Sequence, residues 1–224
     1  VTEISPIRSI ARVRQTDKRG IEIPKRTGQF SASFVAETAT RSETTGYTTG
    51  MMSIDAHEMY GLVDISQAML EDSAFNLESE MGTEFAEQFA KLEGTPFVSG
   101  NSVGKPLGFT DSTAGVSSTN SGSGSALTAN GILDLVYAIK SDYLGNARFV
   151  MNRTTFAKLL QLEDGEGQKI FHVGLNLVNG APSTIAGHPY TLATDMPDIG
   201  GSAKPIAFGD FSKAYTIVDR VNLS

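Results

Sequence analysis

The sequence predicts an α+β protein, and three observations carry that prediction. Apolar residues recur every four positions over 73–93, which reads as one long helix. Alternation of period two over 29–37, resuming at Met52, reads as a two-stranded ribbon. The last hundred residues interleave helical stripes with short strand-like runs, as in helices packed on a sheet.

The long helix rests on Leu77, Met81, Phe85 and Phe89, flanked by Phe75 and Leu92 and supported by Ala74, Ala86 and Ala90. Glu78, Glu80, Glu84 and Glu87 mostly lie off that stripe and form an acidic outer face. Asp72 or Ser73 caps the start, and Gly94 with Pro96 ends the helix. In the ribbon, Phe30, Ala32, Phe34 and Ala36 share one face of the first strand. Met52, Ile54 and Ala56 open the second, which continues toward Leu62, and the tip between them is polar. A ribbon with so little to bury is marginal alone, so the expectation is that it packs on something outside its own domain.

Residues 1–28 show little periodicity, are punctuated by Pro6 and Pro24, and read as an arm with a short extended piece at Ile21 and Ile23. Residues 110–128 are rich in Ser, Thr and Gly and read as a flexible linker or surface loop. Beyond them, Ile132, Leu135, Val136 and Ile139 form a helical stripe. Residues 148–151 read as a strand, and Asn152 caps a helix carrying Phe156, Leu159 and Leu160. Residues 185–194, 206–208 and 215–218 read as further strands.

Composition excludes whole classes of chemistry. The chain has 224 residues, 40% of them apolar, which suits one large domain or two small interlocked ones. Cysteine is absent, so disulfides, zinc–thiolate sites, iron–sulfur clusters and thiol nucleophiles are out. Three histidines do not suggest a His-rich metal site, and no apolar run approaches a membrane span. No signal-peptide core opens the sequence. The net charge of −7 argues against general nucleic-acid binding. Its distribution is uneven: residues 1–41 carry eight Lys/Arg and four Asp/Glu, whereas 42–100 carry one Lys and eleven Asp/Glu. Two readings stay open. The charges are solvated faces, or the basic residues Arg8, Arg12, Arg14, Lys18 and Arg19, with Lys25 and Arg26, lie on the Glu80/Glu84/Glu87 face of another subunit.

Several motifs imitate catalytic sites. Gly100-Asn101-Ser102-Val103-Gly104 matches a nucleophile elbow, but that motif needs a strand before it and a helix after it, and here a helix precedes. The same stretch is too short for a phosphate loop, with Pro106 where Ser or Thr should follow the lysine. His57-Glu58 lacks the second His of a zinc-protease helix, since position 61 is Gly61. Glu163-Asp164-Gly165-Glu166-Gly167 reads as a polar turn, being too short for a calcium loop. No acid, base and nucleophile assemble, so no enzyme, cofactor or metal is expected.

The run Val63-Asp64-Ile65-Ser66-Gln67-Ala68-Met69-Leu70-Glu71-Asp72-Ser73, after Val35-Ala36-Glu37, resembles tailed-phage major capsid proteins of the HK97-like family. So do the long helix and the passage from Gly100 to Phe109. Downstream, Phe149-Val150-Met151-Asn152-Arg153, Asp164-Gly165-Glu166-Gly167-Gln168, Gly187-His188-Pro189, Asp195-Met196-Pro197 and Ile206-Ala207-Phe208-Gly209-Asp210-Phe211 are similar to that family's axial domain. No single motif decides the matter; the ordered set is specific.

The resemblance implies an N-terminal arm at 1–28, an extended hairpin loop at 29–55, a peripheral domain at 56–110 with its spine helix at 73–93, and an axial domain at 111–224. It implies assembly into hexamers and pentamers around packaged DNA, in a virion made in the bacterial host cytoplasm. Partners would be other copies, a scaffold or maturation protease, and portal and head-completion proteins. The loop tip, with Glu37, Thr38, Arg41 and Glu43, would lie over a neighbour. Some family members join a lysine of this loop to a neighbour's asparagine. Between Gln29 and Asp55 there is no lysine, and Arg41 stands near the matching place. A guanidinium stays protonated and is a poor nucleophile, so a non-covalent clasp is expected there. Family chains continue past the point where this sequence stops and many carry an N-terminal scaffolding-like segment, so the expectation is a truncated or processed product. Rival readings are an encapsulin-like shell around cargo enzymes, a serine hydrolase using Ser102, and a Ser/Thr-rich binding module.

Overall fold

A computed structural model describes residues 4–30, 32, 34–35, 43, 46–65, 77–122, 124, 126–170 and 184–220. The described elements run α1 (Ile7–Ile10), β1 (Arg12–Thr16), β2 (Gly20–Arg26), β3 (Thr49–Asp55), α2 (Leu77–Ser99), α3 (Ala129–Tyr137), β4 (Arg148–Met151), α4 (Arg153–Leu160), β5 (Thr184–Ile185), β6 (His188–Leu192), β7 (Ile206–Gly209), α5 (Phe211–Ala214) and β8 (Thr216–Arg220). The chain divides into two compact units, one of residues 1–12 with 57–217 and one of 13–56 with 218–224.

The first unit is built on a four-stranded sheet in the order β5-β6-β4-β7, with β4 parallel to β6 and antiparallel to β7. Strand β4 has no exposed apolar face: Phe149, Val150 and Met151 are all fully buried. Period-two alternation sends these side chains to opposite faces of the sheet. Phe149 and Met151 join Ile132, Val136, Leu159 and Ile185 in a cluster with α3 and α4. Val150 joins Ile7, Ile10, Phe97, Val98, Phe109 and Phe211 on the other side. Thr128 caps α3 by accepting from the Gly131 amide, and Asn152 caps α4 by accepting from Thr154, as the sequence predicts for α4.

The ends of the long helix depart from expectation. Residues 73–76 lie outside the described residues, and α2 runs on past Glu93, through Gly94 and Pro96, to Ser99. Burial drives the extra turns, because Phe97 and Val98 enter the core. Gly94 is a packing glycine here, not a stop: a Cβ on it would come within 2.6 Å of the Ser5 Cβ. The expected single strand over 185–194 is instead a hairpin, β5 and β6. Its two turn residues, Ala186 and Gly187, have φ of 50° and 83°. The Ser/Thr/Gly loop is tied at its base, where Ser121 Oγ donates to Ala126 O and Thr128 Oγ1 donates to Ser121 O.

The extended piece expected at Ile21 and Ile23 is strand β2, and the rest of residues 1–28 is more ordered than an arm. Ile7 and Ile10 of α1 are buried in the core of the first unit, β1 pairs with β8, and β2 is a full ladder strand. The ribbon is corrected too. Strand β3 pairs antiparallel with β2, from Gly20↔Asp55 to Arg26↔Thr49, and the described residues of 29–37 lie in no strand. Their alternation has no buried face behind it, since Phe30 and Phe34 are exposed. Pro24 sits inside this strand and argued against it as the ribbon's first strand; its missing N–H points away from β3, a strand setting that tolerates proline. The second strand stops at Asp55 instead of continuing toward Leu62.

Candidate assembly surfaces

On α2 the predicted stripe is real but only half covered: Leu77, Met81, Phe85 and Phe89 are partly buried and Leu92 is exposed. Spacing of four puts them on one side. Phe85 and Phe89 stack with centroids 6.1 Å apart. Tyr60, Gly61 and Val63 run beside them, leaving an apolar groove of about 710 Å³. Sequence reasoning missed this groove, because a helical stripe shows which side chains want cover and not whether the chain supplies it.

Of the predicted acidic face, Glu80 and Glu84 are exposed and Glu87 is half-buried; the Glu78 side chain lies outside the described residues. Gln88 Nε2 donates to Glu84 Oε1 at 2.7 Å.

The basic residues divide between the two units. Arg8 turns inward within its own chain: its guanidinium holds Glu93 through Nε at 3.1 Å and Nη2 at 2.7 Å, and sits 5.9 Å from the Phe97 ring centroid. A planar fork on a carboxylate fixes geometry as well as charge, so Arg8 clamps α1 to α2. Arg12, Arg14, Lys18 and Arg19 are exposed and form no ion pair among the described residues. Lys25 and Arg26 are exposed on β2, with Arg26 stacked 5.4 Å from the Tyr47 ring centroid. Tyr47 also stacks on Phe30 at 6.3 Å, anchoring the base of the loop beyond the ribbon. At the expected loop tip, Glu43 is exposed, and Glu37, Thr38 and Arg41 lie outside the described residues.

The catalytic look-alikes resolve into local structure. Ser102 sits in a left-handed turn (φ 63°) with α2 before it and the Asn101–Leu107 bridge closing it, so the strand–turn–helix setting of an elbow is missing. Asn101 Oδ1 accepts from the Val103 amide, and the Gly100 carbonyl accepts from Gly108. Asp164 Oδ1 accepts from the Glu166 and Gln168 amides, making the acidic run a closed turn. Among the described residues no three His, Asp or Glu side chains converge as a metal site.

The passage from Gly100 to Phe109 is pinned to the core. Tyr215 donates its hydroxyl to the Leu107 carbonyl at 2.8 Å, and its ring packs edge-on against Phe97 and Phe109. Burial pushes the Tyr215 phenol pKa well above its ordinary value. Asp111 caps the next turn through the Thr113 hydroxyl and amide, which hold its carboxyl below the usual range.

Comparison with known proteins matches this arrangement over its whole length. The model of the phage capsid family matches residues 1–224. No curated protein matches. Among solved structures, the capsid of an empty GTA particle, computed with C5 symmetry, is 31% identical with a TM-score of 0.87. The match covers 100% of this chain and 79% of that one. The capsid of the native GTA particle is equally similar, at 31% identity and TM-score 0.87, over 99% of this chain and 78% of that one. A structure from Mycobacterium phage Adephagia shares the fold at 14% identity and TM-score 0.65, over 95% of this chain and 69% of that one. With an α+β core, a ribbon that buries nothing of its own and a whole-length family match, the chain belongs to the phage capsid family, has the HK97-like fold, and is a major capsid protein, a structural component of the virion shell.

Proposed function

We infer that this chain assembles into hexamers and pentamers that close an icosahedral shell around packaged DNA, without sequence-specific binding and without catalysis. The observation that carries the reading is the whole-length similarity to the GTA capsid at 31% identity. Residues 56–110 serve as a peripheral domain around its spine helix, and 111–224 as an axial domain meeting its copies at the symmetry centres. Assembly takes place in the host cytoplasm with a scaffold or maturation protease, and portal and head-completion proteins join the shell.

The contacts proposed between copies are electrostatic and loop-borne. Arg12, Arg14, Lys18 and Arg19 of one copy face the Glu80/Glu84/Glu87 side of another; Arg8, held by Glu93 in its own chain, is left out of that set. The loop tip, with Glu37, Thr38, Arg41 and Glu43, clasps a neighbour without a covalent bond. Each exposed pair contributes only about 0–1 kcal/mol, but a ring repeats it at every subunit. Negative-stain microscopy of the purified protein should show closed particles. Reversing Glu80, Glu84 and Glu87 to Lys should reduce them, and reversing the four basic residues as well should restore part of the loss. Undiminished assembly of the first variant removes the electrostatic reading; absence of particles from the unsubstituted chain removes the shell reading.

A further inference from the structure

The sequence holds two Asn-Gly pairs, Asn130-Gly131 and Asn179-Gly180, of which the first lies among the described residues. This dipeptide carries a reaction of its own. The glycine amide nitrogen attacks the asparagine Cγ, a five-membered succinimide closes, and the Cγ–Nδ2 bond breaks with release of ammonia. Water then opens the ring, at one carbonyl to aspartate and at the other to isoaspartate, whose backbone is longer by one methylene. The nitrogen must first lose its proton, and glycine, without a Cβ, hinders the approach least. Asn130 meets the outward conditions: it is exposed, and its carboxamide has no hydrogen-bond partner among the described residues.

The backbone around it opposes each step. Asn130 and Gly131 are the second and third residues of α3, so the peptide between them is held in helical conformation. Ring closure needs Asn130 to rotate its ψ out of the helical range. The Gly131 N–H, the group that has to be deprotonated, donates to Thr128 Oγ1 at 3.1 Å. A hydroxyl has one proton to give, and Thr128 gives its own to the Ser121 carbonyl. Its lone pairs are thereby left to the Gly131 amide. Ser121 Oγ also accepts from the Thr128 amide at 3.2 Å while donating to Ala126 O at 2.6 Å. The glycine cannot be exchanged for a safer residue, because a Cβ at 131 would come 2.6 Å from the Ser121 Cα. Packing against Ser121 thus demands the glycine that makes position 130 labile, and Ser121 also orients the hydroxyl that shields it.

We propose that Asn130 is a latent modification site, a deamidation centre held shut by the Thr128 cap, which opens when the first turn of α3 frays. The two products differ in effect. Aspartate at a helix start suits the helix dipole. Isoaspartate inserts a methylene just ahead of the buried Ile132 and Val136 and shifts the first turn against the core.

Peptide mapping of the purified chain, aged at mildly alkaline pH, tests the proposal; it needs no particles, so its outcome is independent of the shell reading. Conversion at Asn130 is read from the mass gain of amide to acid and from labelling by isoaspartyl methyltransferase. Asn130→Gln, whose ring would have six members, should abolish the signal and so assigns it. In the folded parent, conversion should be at least about tenfold slower than in the urea-unfolded chain, as for an amide that reacts only from a locally open state. Thr128→Val should speed it about fivefold, the factor by which losing such a cap favours opening. Thr128→Ser should restore the parent rate. Equal rates in folded and unfolded chains, or a folded Thr128→Val chain no faster than the parent, overturns the proposal. If Thr128→Val does not fold, the parent decides. Through low urea, conversion at Asn130 should rise in step with hydrogen exchange at the Gly131 amide, and conversion that stays flat while exchange rises overturns the proposal.

Discussion

The two units solve the problem of stability in opposite ways. In the first, β4 is buried on both faces, and two apolar clusters fill the space between sheet and helices. In the second, no described residue is buried, and aromatic and thioether side chains such as Phe34 and Met51 face solvent. One unit is held by its own packing. The other is held by a ladder of backbone hydrogen bonds and a few ring contacts, which leaves a two-stranded ribbon near the limit of independent stability. The comparison teaches that exposed apolar side chains need not mean a missing core: the first unit leaves the α2 groove open beside two filled clusters, whereas the second exposes its apolar side chains and has no cluster at all among its described residues.

The sharpest test sets one residue of each unit side by side. Phe149→Ala should cost about 3–5 kcal/mol of subunit stability by denaturant titration. Met51→Ala should change the same quantity by less than about 0.5 kcal/mol. Similar costs for the two would break the contrast. Next comes Gly131, where a Cβ would meet the Ser121 Cα at 2.6 Å and other backbone atoms of the same residue. Backbone cannot swing aside as a side chain can, so Gly131→Ala should cost about 1–3 kcal/mol, read as a lowered denaturation midpoint.

A smaller effect distinguishes polar from apolar packing within the first unit. Tyr215→Phe removes the hydroxyl that donates to Leu107 O and should cost about 1 kcal/mol at neutral pH. The sign of the pH effect follows from the raised phenol pKa. The folded state holds its proton where the unfolded chain has lost it, so this contribution is complete below the ordinary tyrosine pKa and is lost as pH rises toward the folded value. The variant should therefore lose less stability than the parent between neutral and strongly alkaline pH; parallel pH profiles would contradict this. The smallest expected change is a gain: Ala186→Gly relieves a non-glycine residue held at φ 50° and should add about 0.5–1 kcal/mol, measured as a raised melting temperature.

What the sequence disclosed follows the same division. In the first unit, burial enforces the strand at 148–151, and the Asn152 cap is local chemistry, so both were legible; the α2 stripe was legible from its spacing although the chain covers only half of it. Its errors were of context. Gly94 carries the composition of a helix stop, but the reason for it is the close approach of Asp195 and Ser5, both distant in sequence. The four residues of α1 are too few to show a period, so a helix that buries Ile7 and Ile10 passed for an arm. In the second unit no burial enforces a pattern. Phe30, Ala32 and Phe34 alternate but lie in no strand, whereas the strand that does pair contains a proline. The predicted acidic and basic sets were legible as charge, but only contact could separate Arg8, spent on Glu93, from the exposed Arg12, Arg14, Lys18 and Arg19.

The tie between Ser121 and Thr128 has a consequence for engineering. Residues 115–120 are exposed or nearly so and belong to no regular element, while the turn before them is capped by Asp111 and the chain after them is fastened at Ser121. Both ends of this segment are thus fixed by contacts it does not itself make. Loop-closure entropy grows only with the logarithm of length, about 0.6 kcal/mol per doubling. A foreign peptide spliced between Ser118 and Thr119 would therefore tax the fold by little more than one such doubling. Every subunit would carry it, turning the particle into a multivalent display lattice whose avidity is set by symmetry.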